Sequence, residues 1–430
     1  MNTTNLHFHF HFEFQWPVLG LLLGGSLLPG VEAQTPSLER ATAPASVTMT
    51  LSSAAELVRA RNPQLNAARL RIAEAEARVQ QAGLLENPEV ESEFDHDPDF
   101  REFGVGIGFT QAFPVTARLR LEKAVSQAEL RAARAEVENV ARLVIARTRE
   151  AVVNHLALLE RQSLVQRQMQ IATELAENID AAVQKGEGSP LDANQAKVES
   201  SRHALENTQL AVAARQQINL LKPLLGLPAT AEVEVTGLLP AVEVPPPTEG
   251  APESRPDFLA LQITTGAAER AIALERAKRY GDVNLGLFAS GGRVEDAPEG
   301  LEYEARVGLK VSIPLPLWNK NQGAVTEKVA AHRRLQLELE ALANEIRNEA
   351  ESARADMSAQ AGLITLVDTE LLPPAARQVQ ETTAAYRAGL ADLESVLRAR
   401  DQEVELAGAR LDAVRDFHLA RVLYEAAVAK

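Results

Sequence analysis

Histidines, carboxylates and glycine runs are the residues of this chain that could carry chemistry. Cysteine is absent, which excludes disulfides, thiolate catalysis, cysteine-ligated zinc and lipidation of an amino-terminal cysteine. His7, His9 and His11 alternate near the start, as in metal-binding tracts. His155, His203, His332 and His418 stand singly in helical stretches and suggest no ligand pair. The run Gly104-Val105-Gly106-Ile107-Gly108 mimics a nucleotide loop. It alternates with apolar residues as a strand does, however, and no Lys-Ser/Thr follows it. The sequence therefore predicts no enzyme, no cofactor and no resident metal site.

Composition points to long helices instead. Aromatics make up 4% of 430 residues, and long stretches are rich in Ala, Glu, Arg, Leu and Gln, which suits close helix packing through small residues. The net charge of −15 leaves no bulk basic footprint for nucleic acid. An acidic surface facing a pore would favour cations, and it would equally serve as an ordinary solvated surface.

Val18 to Val31, VLGLLLGGSLLPGV, is too short to span a bilayer, which takes about 20 apolar residues. It fits the apolar core of a secretory signal over residues 1–33, with cleavage after Ala33 in Val31-Glu32-Ala33. The region before it lacks Lys and Arg, unlike an ordinary signal. The histidine tract lies in the part that would be removed. No later segment is apolar enough to span as a helix, so a membrane-embedded mature chain must span as strands.

The second half repeats the first. Asn62-Pro63 and Arg255-Pro256 each open a helix. Phe109–Pro114 corresponds to Leu309–Pro314, and Gln184-Lys185-Gly186 to Arg387-Ala388-Gly389. The expected units are 34–241 and 257–430, joined by a stiff Pro-rich linker over 242–256. Each half reads helix, β-hairpin, very long helix, tight turn, long helix. The helix after Pro114 extends to about Gln184, roughly 105 Å at 1.5 Å per residue, so it must pack on other long helices. Leu335, Leu339, Leu342 and Ile346, and the sevenfold row Leu397, Val404 and Leu411, predict coiled-coil seams. Leu371-Leu372-Pro373-Pro374 predicts a kink or break. The fold class is mainly α with a small β part.

Four segments alternate with period two: about 88–97, 101–113, 283–293 and 302–313. Phe103, Val105, Ile107 and Phe109 share an apolar face with glycines between them. Val307 and Leu309 lie on the apolar face of the last strand, opposite Glu304, Arg306 and Lys310. Each run has the length of a tilted transmembrane strand, greasy on one side and polar or small on the other. The apolar set is expected to face lipid and the polar set a lumen. Four strands cannot close a barrel, and open edges in lipid leave backbone groups unpaired. Several chains must share one barrel. Two chains give eight strands, three give twelve with more room for a lumen, and this argument does not choose between them.

The ordered set of these features resembles the TolC-like outer membrane efflux protein family across the mature chain. It rests on the duplicated plan, on Phe113-Pro114 and Ile313-Pro314 at strand ends, and on Leu224-Leu225-Gly226-Leu227-Pro228. It rests also on the turns Lys185–Asp192 and Tyr386–Leu393. Ser189-Pro190-Leu191-Asp192 and Pro314-Leu315-Pro316-Leu317-Trp318 look most like the heavy-metal-efflux branch. The resemblance implies a homotrimer with a twelve-stranded barrel in the outer membrane, continuous with a helical tunnel through the periplasm. It implies a periplasmic adaptor and an inner-membrane RND-type pump as partners. Gly186, Asp192, Tyr386 and Gly389 would then lie at a periplasmic tip, with Asp192 lining the constriction and Tyr386 holding it shut. Ala391 stands where some relatives carry a bridging Arg, and Ser395 where some have Asp. Asp192 could equally complement a helix dipole, and Tyr386 could equally be a packing residue. The rival readings are a periplasmic adaptor or structural coiled-coil protein, and a duct serving drug efflux or type I secretion. An adaptor would place one helical hairpin inside a β-domain, the reverse of the order seen here.

Overall fold

The computed structural model describes residues 46–99, 101–246, 252–296 and 300–429. The expected signal segment 1–33, its histidines and residues 247–251 of the expected linker lie outside the described residues. The chain begins with β1 (Ser46–Met49), α1 (Ala54–Arg61) and α2 (Pro63–Gln81). Pro63 occupies the first turn of α2, where its missing N–H costs nothing. The Asn62 side chain caps that helix by accepting from the Leu65 N–H at 2.8 Å. Its amide also donates to Leu224 O at 2.7 Å, across 162 residues.

A hairpin follows, β2 (Glu89–His96) and β3 (Phe103–Phe113), and then α3 (Arg118–Gln184). α3 is unbroken over 67 residues, about 100 Å, and contains neither Gly nor Pro. It turns back into α4 (Pro190–Leu224), which leads to β4 (Glu232–Val235). The second half runs α5 (Pro256–Ala277), β5 (Val283–Asp296), β6 (Gly300–Ser312) and α6 (Gln322–Leu366). A π turn (Val367–Leu371) then leads into α7 (Leu372–Arg387), and α8 (Leu393–Ala427) returns. The linker ends in a single 3-10 turn, Pro252–Ser254, immediately before α5.

Of the kink or break expected at Pro373 and Pro374, the break does not occur. One widened turn absorbs them, and the Leu372 N–H reaches back five residues to Val367 O. Widening relieves the clash between a proline ring and the carbonyl four residues earlier. The sevenfold row in α8 is also covered only in part. Leu397, Val404 and Leu411 are half-buried, whereas Leu393, Val396 and Ala399 are buried.

β1 and β4 form a parallel pair that the sequence analysis did not anticipate. They bring Val47, Met49 and Val235 onto Val58 of α1, Val144 and Val152 of α3, and Leu221 of α4. This is the largest apolar cluster among the described residues, and it ties the start of the first half to its end. A second cluster joins α6 to α8 through Met357, Ile364, Phe417 and Tyr424.

β2, β3, β5 and β6 form one antiparallel sheet in that order. The two hairpins therefore pair through β3 and β5, so both halves share one sheet. β2 and β6 are its open edges.

Candidate functional site: sheet faces and hairpin tips

Side chains alternate across a strand and paired residues share a face, so register assigns every position. Phe103, Val105, Ile107 and Phe109 of β3 pair with Arg293, Gly291, Ala289 and Leu287 of β5. Ala289 and Leu287 pair in turn with Val307 and Leu309 of β6, and β2 adds Phe94 and Val90 beside Val105 and Phe109. All six predicted apolar residues thus lie on one face. Val307 is 84% exposed and Leu309 77% exposed, so nothing among the described residues covers this face around them.

The opposite face carries Glu304, Arg306 and Lys310, paired through Gly292, Ser290 and Gly286 of β5. Glu91 and Glu93 of β2 join them opposite Gly108 and Gly106. Arg306 and Glu304 form an ion pair at 2.5 Å. Phe288 is a large apolar residue on this polar face. Its ring lies over Gly308, where a Cβ would meet ring carbons at 2.6 Å.

The sheet is anchored to the helices by an ionic node. Arg118, the first residue of α3, reaches Asp282 at 2.5 Å, Glu122 at 3.3 Å and Glu86 at 3.6 Å. Burial disfavours its charge, but the carboxylates, Asp282 first, outweigh that and raise its pKa. Asp282 immediately precedes β5 and Glu86 precedes β2, so one guanidinium holds the bases of both hairpins.

At the far end of the helices the two halves repeat one turn. Gly186 (φ 81°) and Gly389 (φ 73°) adopt the left-handed conformation. The following N–H groups bond back five residues, Glu187 to Ala182 O and Leu390 to Ala385 O, each at 2.9 Å. This is the Schellman arrangement, which requires a residue tolerant of positive φ. Asp392 caps α8, accepting from Ser395 N at 2.9 Å and Ser395 Oγ at 2.5 Å. Ser189 caps α4 more weakly, at 3.5 Å from Asp192 N.

The turns are brought together by a small apolar cluster of Ile179, Ala196 and Leu393, against which Tyr386 and Val183 pack. Burial first, and the Asp192 charge second, push the Tyr386 phenol above its ordinary pKa. Asp192 and Tyr386, from different halves, therefore share one electrostatic environment. Asp192 also occupies the first turn of α4, so the helix-dipole role is met in the same position.

His203 was expected to stand alone, and that expectation fails. It is buried beside Glu199, one turn earlier on α4, and Asp401 of α8 approaches from the other half. The i,i+4 spacing of Glu199 and His203 was visible in the sequence. The contact with Asp401 was not, because it spans about half the chain.

Two successive segments, residues 54–227 and 249–418, match the family described as outer membrane efflux protein. The chain is 25% identical over 372 residues to the cobalt-zinc-cadmium resistance protein CzcC of Cupriavidus metallidurans, covering 82% of this chain and 83% of that protein. Among solved structures it resembles CusC, with a TM-score of 0.73 at 16% identity, over 88% of this chain and 91% of that one. It also resembles the outer membrane protein VceC of Vibrio cholerae, with a TM-score of 0.72 at 18% identity, over 88% of this chain and 95% of that one. The structural likenesses show a shared fold. No helix among the described residues is long and apolar enough to cross a membrane. On the family match, which covers most of its length in two consecutive segments, this chain belongs to the outer membrane efflux protein family.

Proposed function

We propose that three copies of this chain form an outer-membrane export duct of a tripartite efflux system, with heavy-metal cations as its cargo. The observation that carries this reading is the four-stranded sheet. It has one uncovered apolar face, one polar face and two open edges. In lipid such edges must be paired, and only copies of the same sheet supply matching strands. Three copies close a twelve-stranded barrel with room for a lumen. Phe103, Val105, Ile107, Phe109, Val307 and Leu309 then meet lipid, while Glu304, Arg306 and Lys310 line the lumen.

α3, about 100 Å long, and the helices packed on it extend the duct into the periplasm of a Gram-negative cell. The half-covered row on α8 is completed there by a neighbouring chain. Gly186, Asp192, Tyr386 and Gly389 form the periplasmic tip, where a periplasmic adaptor and an inner-membrane RND-type pump engage. The metal cargo rests on the likeness to CzcC, which spans most of both chains. A duct performs no bond chemistry, and the arrangement of sheet and helices supports passive conduction.

The test is assembly and location. The mature protein should fractionate with outer membranes, resist salt extraction, and have a trimer's mass in detergent. A monodisperse monomer with full β-content would overturn the duct. Cells lacking the chain should become sensitive to cobalt, zinc or cadmium, and unchanged sensitivity to all three would overturn the cargo while leaving the duct in place.

A further inference from the structure

Glu199 and His203 leave one face of α4, being four residues apart. Glu199 Oε1 lies 3.2 Å from His203 Nε2. Asp401 reaches them from α8, and one ligand atom of each residue lies within 4.8 Å of the other two. The His203 side chain is only 7% exposed. Its second nitrogen, Nδ1, is buried without a hydrogen-bond partner, and Glu206 Oε2 stands 3.9 Å from it. Arg202 pairs with both Glu199 and Asp401. A single guanidinium therefore bridges two carboxylates from different halves of the chain, beside a buried imidazole.

We propose that Glu199, His203 and Asp401 form a binding site for a divalent transition-metal cation of the zinc type, which joins α4 to α8. One imidazole with two carboxylates suits zinc or cobalt. Calcium and magnesium prefer all-oxygen sites with more ligands. At metal–ligand distances of about 2.1 Å, tetrahedral ligand atoms stand about 3.4 Å apart. The widest present spacing, 4.8 Å, must therefore contract by about 1.4 Å, which rotation of the Glu199 and Asp401 side chains can supply. The fourth position opens on the side of Asp401, whose side chain is 47% exposed.

The His203 ring is more than nine-tenths buried with Nε2 turned to Glu199, and its unpartnered Nδ1 lies on the side of Glu206. A metal on Nε2 fixes the ring proton on Nδ1, and Glu206 is placed to accept it. That is the carboxylate–histidine–metal relay that orients ligand histidines. Arg202 is the resident competitor. Its guanidinium is 52% exposed and can swing into solvent when a metal takes the carboxylates. The site does not depend on what the duct exports.

The test uses the full chain, purified in detergent without a histidine tag, with His7→Gln, His9→Gln and His11→Gln in every form. Co2+ is titrated by visible absorption and Zn2+ by calorimetry. The expected result is one equivalent per chain, weakened about tenfold or more by His203→Gln and by Asp401→Asn, and tightened by Arg202→Gln. Asp401 is exposed enough that Asp401→Asn should fold, and circular dichroism with the detergent-complex mass checks it. Affinity unchanged in a folded Asp401→Asn variant, or equal binding of Mg2+, would overturn the proposal.

Discussion

Replacing Val307 by Arg tests the assignment of the sheet faces. Val307 lies five residues above Ser312, the base of β6. At about 3.4 Å per residue and a tilt of about 40°, that places it roughly 13 Å above the base. An outer-membrane apolar band is about 25 Å tall, so the residue sits near its middle. A guanidinium there costs roughly 2–4 kcal/mol per chain, or about 30- to 700-fold in the folding equilibrium at 1.4 kcal/mol per decade. Three chains sharing one barrel multiply the energetic penalty, and assembly should fail or require far milder conditions. Lys310→Gln, on the opposite face beside Gly286, should change stability by less than about 0.5 kcal/mol. Urea titration of folding into lipid vesicles, read by tryptophan fluorescence and heat-modified gel mobility, gives both midpoints. Coincident midpoints for Val307→Arg and Lys310→Gln would refute the face assignment and, with it, the barrel.

At the tip, Asp192→Asn should weaken cation selectivity and cation block in planar bilayers without affecting assembly, and should move the Tyr386 phenol back toward its ordinary pKa. Tyr386→Phe should raise basal conductance, and unchanged conductance would reduce Tyr386 to a packing residue. Arg255→Ala should lower stability by about 3–5 kcal/mol in thermal melts. Its side chain is only 5% exposed, and its removal leaves Asp257 without the partner at 2.6 Å. Acidification should destabilise in two stages. His155 and His418 are both shifted down, chiefly by burial. Below about pH 6.5 the unfolded chain therefore takes up protons that the folded chain refuses, and stability falls. Asp257 is held low because Arg255 outweighs its burial, so its contribution is present above the unfolded carboxylate pKa and disappears below it. A melting temperature flat from pH 7 to 5 would refute the histidine stage.

What could be seen in the sequence was local. Period-two alternation placed all four long strands within a few residues, because an apolar face and a polar face cannot exchange without a slip of register. Pro63, Pro256 and the two tip glycines marked helix ends, because backbone geometry admits few alternatives there. The pairing of β3 with β5 was not visible, since alternation assigns faces but not neighbours. β1 and β4 escaped notice for another reason. Four residues carry too little periodicity, and their partner lies in a distant segment. The Glu199–His203–Asp401 cluster was missed on the same ground.

The two halves share a plan but not a mechanical character. α3 runs uninterrupted to Gly186, whereas its counterpart reaches Gly389 through a π turn. The proline pair already marks the second half's long helix for a kink or break. Pro373 and Pro374 remove two N–H donors, and Thr369 Oγ1 bonds back to Thr365 O at 2.8 Å beside them. Fewer regular backbone bonds cross that turn, so bending costs less there than anywhere along α3. The pair Asp192 and Tyr386 joins one tip of each kind. Any motion at the tip should therefore concentrate in the second hairpin, pivoting below Leu371, while the first stays fixed. The sequence holds this asymmetry in two adjacent prolines, which fall in the long helix of the second half and have no counterpart in α3.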